Sequence, residues 1–374
     1  MAYFEAQARD LADLAERSRA RRLTKRAGRD FSSNDYLALA SDPELAVAVR
    51  GAIDAGVPIG SGGSRLLRGN HDAHERLEAE AATFFGAESA LYFSTGYAAN
   101  AALLATLPQR GDLVVHDALV HASAHEGTRL SRAEVRSAGH NDVGDFEDAI
   151  LDWRHEGGVG RVWIAVESLY SMDGDRAPLD ALAALADRHE AILLVDEAHA
   201  TGVFGDSGRG LAAGLAGREN LITLHTCGKA LGCEGALLCG PQVVRDFLVN
   251  RGRAFIFSTA PSPLMAEAVR VALRLIAEPE RRARLHALIA RAEALLAPVD
   301  VQATGSQILP LVLGEDARTM AAAAALQERG FDVRGIRPPT VPAGTSRLRI
   351  SVTLNVREDD VAALADALGS LACG

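Results

Sequence analysis

The sequence predicts an α/β fold, with a large domain around a mainly parallel central sheet, a smaller C-terminal α/β domain and an N-terminal helical segment. In the middle of the chain, short and almost entirely apolar β-like runs alternate with helical stretches, which is typical of a parallel sheet covered on both faces. A second β-α-β-α pattern follows from Ile308 to Leu371. We place the domain boundaries at 1–40, 41–265 and 266–374.

The elements follow in chain order. The segment up to about Arg29 has the charge pattern and the ~3.6-residue period of an amphipathic helix, and Glu75 to Phe85 predicts another helix. Six apolar runs predict strands of the central sheet: Ala90–Phe93, Leu113–His116, Val162–Glu167, Ile192–Asp196, Leu221–Thr226 and Ala236–Cys239. Helices fit between them, for example Leu179 to His189, and a long helical stretch runs from Pro263 to about Leu296.

Composition and charge argue against several function classes. The 374 residues carry a net charge of −10 and their arginines are scattered, so no basic stripe indicates a nucleic-acid partner. No run approaches the ~18 apolar residues of a membrane span, and the N-terminus lacks the apolar core of a secretory signal. The cysteines show neither zinc nor disulfide spacing: Cys227, Cys233, Cys239 and Cys373. We therefore expect a cytoplasmic protein without a membrane partner.

Lys229 is unusual because the chain has many arginines and two lysines, the other being Lys25 in a basic patch. Arginine cannot replace lysine in imine chemistry, since its guanidinium stays protonated. A retained lysine therefore suggests a chemical role, although chance retention at a structural position explains it equally well. Thr226 precedes Lys229 by three residues, so both side chains can face one site on a turn.

Polar residues follow the predicted strands, where parallel sheets gather their chemistry. A partly buried Asp196 needs a cationic or hydrogen-bond-donating partner. It could pair with a pyridinium nitrogen, cap the N-terminus of a helix, or bind a metal ion together with His199. His116, His121 and His125 allow zinc binding or structural roles, and His121 could also stack on a planar cofactor.

Two segments could bind anions. Gly60–Arg65 looks like a phosphate loop, but it matches neither the dinucleotide nor the Walker pattern, so a substrate-facing loop is favoured over NAD or ATP binding. Ser94–Tyr97 begins a predicted helix, whose N-terminus either receives a phosphate or carries an ordinary Ser/Thr cap.

Taken in this order, the motifs resemble those of the α-oxoamine synthases, which are fold-type I enzymes dependent on pyridoxal phosphate (PLP). The resemblance runs nearly end to end, and six segments carry it: Phe31–Leu37, Gly60–Arg65, Glu167–Asp175, Val195–His199, Thr226–Lys229 and Ile336–Thr345. Ser168, Cys227 and Cys233 depart from the residues that the family usually has there. The large domain is accordingly expected to be the PLP-binding one.

The resemblance implies a role for each matching residue. Lys229 would bind PLP as a Schiff base and later remove the substrate's Cα proton, Asp196 would pair with the pyridinium nitrogen, and His121 would stack on the ring. Further cofactor contacts would come from His199, Ser171, Gly96, Tyr97, Thr226 and, out of a second subunit of a homodimer with shared sites, Ser258 or Thr259. Arg349 would hold the amino-acid carboxylate, and the other substrate-facing residues would be Arg21, Asn34, Arg65 and Thr340.

The resemblance also implies a reaction. The segment Ile336–Thr345 looks like that of family members in biotin synthesis, which condense L-alanine with a pimeloyl thioester of CoA or a carrier protein and release carbon dioxide. One alternative is a family member that uses glycine or serine with another acyl-CoA. Others are a catalytically silent binding module and a metal-dependent hydrolase built on His121, His125, Asp196 and His199.

Overall fold

The computed structural model describes residues 2–372, so Cys373 lies outside the described residues. Contacts divide the chain into two units. The larger contains Leu37–Ser171 and Arg176–Arg282, and the smaller contains the N-terminal residues up to Tyr36, the segment Met172–Asp175 and the chain from Ala283 onwards. The three-part division at 1–40, 41–265 and 266–374 stays a prediction.

The larger unit is built on a seven-stranded sheet. Its strands in chain order are Ser89–Phe93 (β1), Leu113–Asp117 (β2), Glu134–Ala138 (β3), Val162–Glu167 (β4), Ile192–Asp196 (β5), Leu221–Thr226 (β6) and Ala236–Gly240 (β7). The spatial order is β1-β7-β6-β5-β4-β2-β3, and β7 runs antiparallel to both neighbours while the other pairs are parallel. The mainly parallel α/β sheet is thus confirmed.

β3 was not predicted, because this edge strand has one buried residue, Ala138, and therefore lacks the apolar run of a covered strand. The parallel strands β2, β4 and β5 alternate their side chains between two cores. Val115, Ile164 and Leu193 face one core, whereas Val114 and Leu194 face the other. The sheet is therefore covered on both sides, as expected for parallel strands.

Helices cover the two faces of this sheet. Those of the larger unit are Pro43–Asp54, the π-helical turn Arg65–Gly69, Asp72–Phe85, Gly96–Thr106, Ala122–Leu130, Val143–His155, Leu179–Arg188, Gln242–Arg251, Arg253–Ile256 and Pro263–Ala277. The helical stretch predicted from Pro263 to about Leu296 is present as two helices, because a second helix, Pro279–Leu296, begins after a break at Glu278. Pro279 forces Glu278 into extended backbone, which ends the first helix.

The smaller unit contains a three-stranded antiparallel sheet in the order Arg334–Ile336, Ser346–Ser351, Ile308–Gly314. Helices Asp316–Glu328 and Glu358–Ala372 follow the predicted β-α-β-α pattern, and Arg29–Asp30 pairs in parallel with Phe331–Asp332.

The N-terminal helix is shorter than predicted. It spans Glu5–Glu16 rather than continuing to Arg29, has no buried residue, and is followed by Ser18 in the left-handed conformation, which stops a helix. Within residues 2–372, no helix has both the length and the apolar character needed to cross a bilayer.

Candidate active site

Lys229 lies in the turn that follows β6, at the carboxyl edge of the parallel strands. The turn is closed by backbone hydrogen bonds, since Cys227 N–H donates to Gly235 O at 2.8 Å and Gly232 N–H donates to Lys229 O at 2.9 Å. The Lys229 Nζ lies 2.7 Å from Nε2 of His199, a buried residue that follows β5. The structure thus places this amine and this imidazole in one site, although they are far apart in sequence.

Asp196 ends β5 and is held by two donors. Its Oδ2 accepts a hydrogen bond from Nδ2 of Asn100 at 2.6 Å, and its Oδ1 accepts one from the Ala198 N–H at 2.9 Å. Hydrogen bonds to a carboxylate are among the strong ones, so the side chain is fixed at the sheet edge.

Asn100 is not among the site residues predicted from the sequence. It is buried in the otherwise apolar helix Gly96–Thr106, and its Nδ2 also lies 3.1 Å from Oγ of Ser123. Buried amides need partners, so a lone asparagine in an apolar helix was the signal that could have identified it.

His121 caps the helix Ala122–Leu130, because its Nδ1 accepts a hydrogen bond from the Ser123 N–H at 3.2 Å. The ring of Tyr97 meets it edge-on at 6.4 Å between centroids. Partial removal of solvent by the surrounding protein lowers the pKa of His121. The negative charge of Asp196 opposes this shift, and the positive charge of Lys229 adds to it. A neutral ring open to solvent on one side is suited to stacking on a planar ligand.

The start of the helix Gly96–Thr106 faces Thr226. Thr95 caps the helix by accepting the Ala98 N–H at 3.0 Å, and a Cβ at position 96 would lie 3.5 Å from the Thr226 hydroxyl oxygen. The N-terminus of this helix at Gly96 therefore lies close to a hydroxyl group. Such a pairing suits an anion, because free N–H groups and the helix dipole favour negative charge.

Two buried glutamates flank Asp196. Glu197 accepts hydrogen bonds from the Ser168 hydroxyl at 2.8 Å, from the Leu211 N–H at 3.0 Å and from the Ala212 N–H. Burial raises the pKa of Glu197 to about 7, and these hydrogen bonds oppose the rise. Ser168, which departs from the family's usual residue, thus helps to hold the segment that follows Asp196. The second glutamate, Glu167, accepts the N–H of Ser171 at 3.2 Å.

Arg65 is directed inward. Its Nη1 and Nη2 donate to the two carboxylate oxygens of Glu78 at 2.8 and 3.2 Å, and its Nε donates to Oδ1 of Asn70 at 2.6 Å. Because the Arg65 side chain is only 7% exposed, this pairing does not favour the predicted substrate contact.

Ser258 and Thr259 lie in a loop that Ala260 ties to Gly63 through a 2.9 Å backbone hydrogen bond. They line a small depression together with Arg65. Their predicted contact with the phosphate of a second subunit stays a prediction.

The remaining predicted substrate residues belong to the smaller unit. Arg349 donates from Nη1 to Oγ of Ser351 at 2.7 Å, and from Nη2 to Oδ1 of Asn34 at 3.1 Å. Exposed Arg21 donates to the Thr340 hydroxyl at 3.2 Å. Arg349 with Asn34, and Arg21 with Thr340, therefore form two pairs on the smaller unit.

Metal coordination finds no support in the side-chain geometry. In the described part of the chain, no three His, Cys, Asp or Glu side chains converge to hold an ion. His116 and His125 instead meet edge-on at 4.9 Å. The four residues of the hydrolase alternative, His121, His125, Asp196 and His199, therefore form no such cluster in the described structure.

The residues of the larger unit fit PLP. An aldehyde needs an amine, the ring nitrogen needs a carboxylate and the phosphate needs backbone N–H groups. Lys229, the anchored Asp196 and the helix N-terminus at Gly96 supply these three groups.

Comparisons with known proteins agree with this geometry. The family model for aminotransferase class I and II matches residues 28–368. The 8-amino-7-oxononanoate synthase of Anaeromyxobacter dehalogenans is 47% identical over 331 residues, which cover 87% of this chain and 81% of that protein.

Solved structures have the same fold. Serine palmitoyltransferase from S. paucimobilis, with bound PLP and myriocin, has a TM-score of 0.88 at 26% identity and covers 99% of this chain and 97% of its own. The 8-amino-7-oxononanoate synthase of Francisella tularensis has a TM-score of 0.78 at 28% identity, covering 92% and 98%.

Proposed function

This chain belongs to the aminotransferase class I and II family, and on that premise we propose that it condenses L-alanine with a pimeloyl thioester in biotin synthesis. The products would be 8-amino-7-oxononanoate, carbon dioxide and the free thiol of CoA or of a carrier protein. The proposal rests on Lys229, which lies 2.7 Å from His199 at the same sheet edge as the anchored Asp196. The curated relatives with this activity supply the substrate class.

PLP, when bound, supplies an electron sink for the negative charge that develops at the alanine Cα. Lys229 would hold the cofactor through its amine and afterwards move the proton at Cα, because an amine freed in this position is a base. Asp196 would keep the ring nitrogen protonated, and Asn100 fixes the direction of its carboxylate. His121 would cover one face of the ring.

The cofactor's polar groups would meet the surrounding strand ends. Thr226 and the N-terminal turn at Gly96 and Tyr97 would hold the phosphate, while His199 and Ser171 would hold the polar edge of the ring. In a homodimer, which we also propose, Ser258 or Thr259 would reach the phosphate bound by the partner.

Substrate binding would use the smaller unit. Arg349 would clamp the alanine carboxylate, since a planar guanidinium matches a carboxylate with two parallel hydrogen bonds. Asn34 accepts one of its N–H groups and so orients it. Arg21 and Thr340 would face the acyl substrate, and the enzyme would act in the cytoplasm.

Product analysis tests the proposal. The purified enzyme is incubated with L-alanine, glycine or L-serine, each paired with pimeloyl-CoA, acetyl-CoA and palmitoyl-CoA, and the aminoketones are identified by mass spectrometry. We expect product from alanine with pimeloyl-CoA at the highest kcat/KM.

A preference for serine with palmitoyl-CoA would instead assign the chain to the activity of the S. paucimobilis structure. If the absorption band of PLP does not shift when PLP is mixed with the protein, and no pair gives a product, the whole assignment is contradicted.

A further inference from the structure

Glu167 is a buried acid whose role the proposed reaction does not use. It ends β4, and its Cα is in register with that of Asp196, which ends β5. Paired residues on parallel strands direct their side chains to the same face of the sheet. Glu167 also lines one small cavity together with Asp196, His121 and Asn100. Two carboxyl groups thus lie side by side where a cofactor ring would bind.

The two carboxyl groups are satisfied to different degrees. Both oxygens of Asp196 accept a hydrogen bond, from Asn100 and from Ala198. Glu167 is 4% exposed; its Oε2 accepts one N–H, and its Oε1 is buried without a hydrogen-bond partner. A buried charge without sufficient donors is costly, so a pair of this kind keeps its proton on the less satisfied member.

The electrostatic surroundings favour the same distribution. Burial, and next the negative charge of Asp196, raise the pKa of Glu167 to about 8. Lys229 opposes the rise and Asp117 adds to it. His121, the remaining titratable group at the cavity, has a lowered pKa and is neutral in the same pH range.

We propose that Glu167 is a positioning residue that remains a neutral acid beside Asp196. Asp196 is then the one carboxylate of the pair whose charge is directed at the cofactor's ring nitrogen. If Glu167 ionised, a second negative charge would compete for that proton and repel the first carboxylate from its position. The inference rests on the proposed function for the identity of the cofactor, but not for the protonation state.

The first test uses the apoprotein and therefore does not depend on PLP. Infrared difference spectra record the C=O band of a protonated carboxyl group as pH is raised from 6 to 10. We expect a band that titrates near pH 8 and is lost in Glu167→Gln, which has the same shape and no proton to lose. If no protonated-carboxyl band is assignable to Glu167 at pH 7, the proposal is overturned.

The second test measures the Kd of PLP by absorbance titration. In wild type, PLP affinity should fall about tenfold between pH 7 and pH 9. The reason is that above the pKa of Glu167 the protonated fraction of this residue falls about tenfold with each pH unit. In Glu167→Gln the affinity for PLP at pH 7 should stay within about twofold of the wild-type value. The roughly tenfold weakening between pH 7 and pH 9 should be absent, because glutamine does not ionise. Glu197→Gln is the matched control, since that buried acid has donors for both oxygens, and it should keep the alkaline fall.

The outcomes separate the two claims. If wild type binds no PLP at any pH, the proposed function fails and the role of Glu167 towards the cofactor fails with it. If wild type binds PLP but Glu167→Gln weakens binding tenfold or more at pH 7, the proposed function stands and the neutral-acid role is wrong.

Discussion

The group around Lys229 and the group around Arg349 hold charge in different ways. Burial raises the pKa values of Glu167 and Glu197 to about 8 and about 7, so the charge of the first group depends on pH around and above neutrality. The second group relies on arginine, whose guanidinium stays protonated throughout that range. Proton transfer requires a pKa near the working pH, whereas anion binding requires a charge that does not titrate. The contrast is consistent with the proposed chemistry at the first group and the proposed substrate binding at the second.

Removing the amine should have the largest effect. Lys229→Ala is expected to lower turnover by at least about a thousand-fold, because both the covalent link to PLP and the base at Cα are lost. Steady-state product formation measures it. Lys25→Ala is the control, since this lysine is exposed and should leave turnover unchanged. Substantial turnover by Lys229→Ala would contradict the proposal that the group around Lys229 carries out the reaction.

Removing the fixed charge should have a smaller and different effect. Arg349→Met is expected to lower kcat/KM for L-alanine by about 10- to 100-fold, since hydrogen bonds to a charged group are worth about 1.5–3 kcal/mol. Alanine and acyl thioester are varied separately. Arg334→Met is the control in the same unit, because Arg334 pairs with Asp332 at 2.7 Å and should leave alanine kinetics intact. A defect seen for the acyl thioester alone would contradict the assigned role.

Asn100→Ala tests how Asp196 is held in the group around Lys229. Loss of the 2.6 Å hydrogen bond to Asp196 should reduce kcat about tenfold with little change in KM for L-alanine. Asn250→Ala, which removes an exposed amide bonded to the backbone of Asp246, should have no effect. A change confined to KM would indicate that Asn100 contributes to substrate binding and not to the reaction step.

The smallest expected effect is on the pH dependence of stability, and it concerns the buried His225. His225 precedes Thr226 on β6, but burial lowers its pKa from 6.5 to about 3. Between these values the unfolded chain binds a proton that the native state does not, so stability is lost as pH falls from about 6.5 towards 3. His225→Asn removes this contribution, so its Tm deficit at pH 7.5 should narrow at pH 5. An unchanged deficit, measured by thermal unfolding at both pH values, would show that His225 does not carry this pH dependence.

Much of the site was predictable because its residues follow strand ends. Asp196 ends a covered strand, His199 follows it and Lys229 follows the next strand, so chain order alone places them at one sheet edge. Asn100 was not predictable in this way, because it lies 96 residues from Asp196 and within an apolar helix. Arg65 was assigned to the substrate from its glycine-rich loop, whereas its partner Glu78 lies on the following helix.

Apolar periodicity and short motifs are local properties of the chain, so the alternation of covered strands and helices, the family resemblance and the importance of Lys229 could be read from the amino-acid sequence. Which polar groups find partners depends on the folded structure. It turned Arg65 towards Glu78, joined Asn100 to Asp196 and left one oxygen of Glu167 unsatisfied beside Asp196. The physical reason is that burial and hydrogen-bond partners, which set where charge and protons reside, arise from contacts between residues that are distant in sequence.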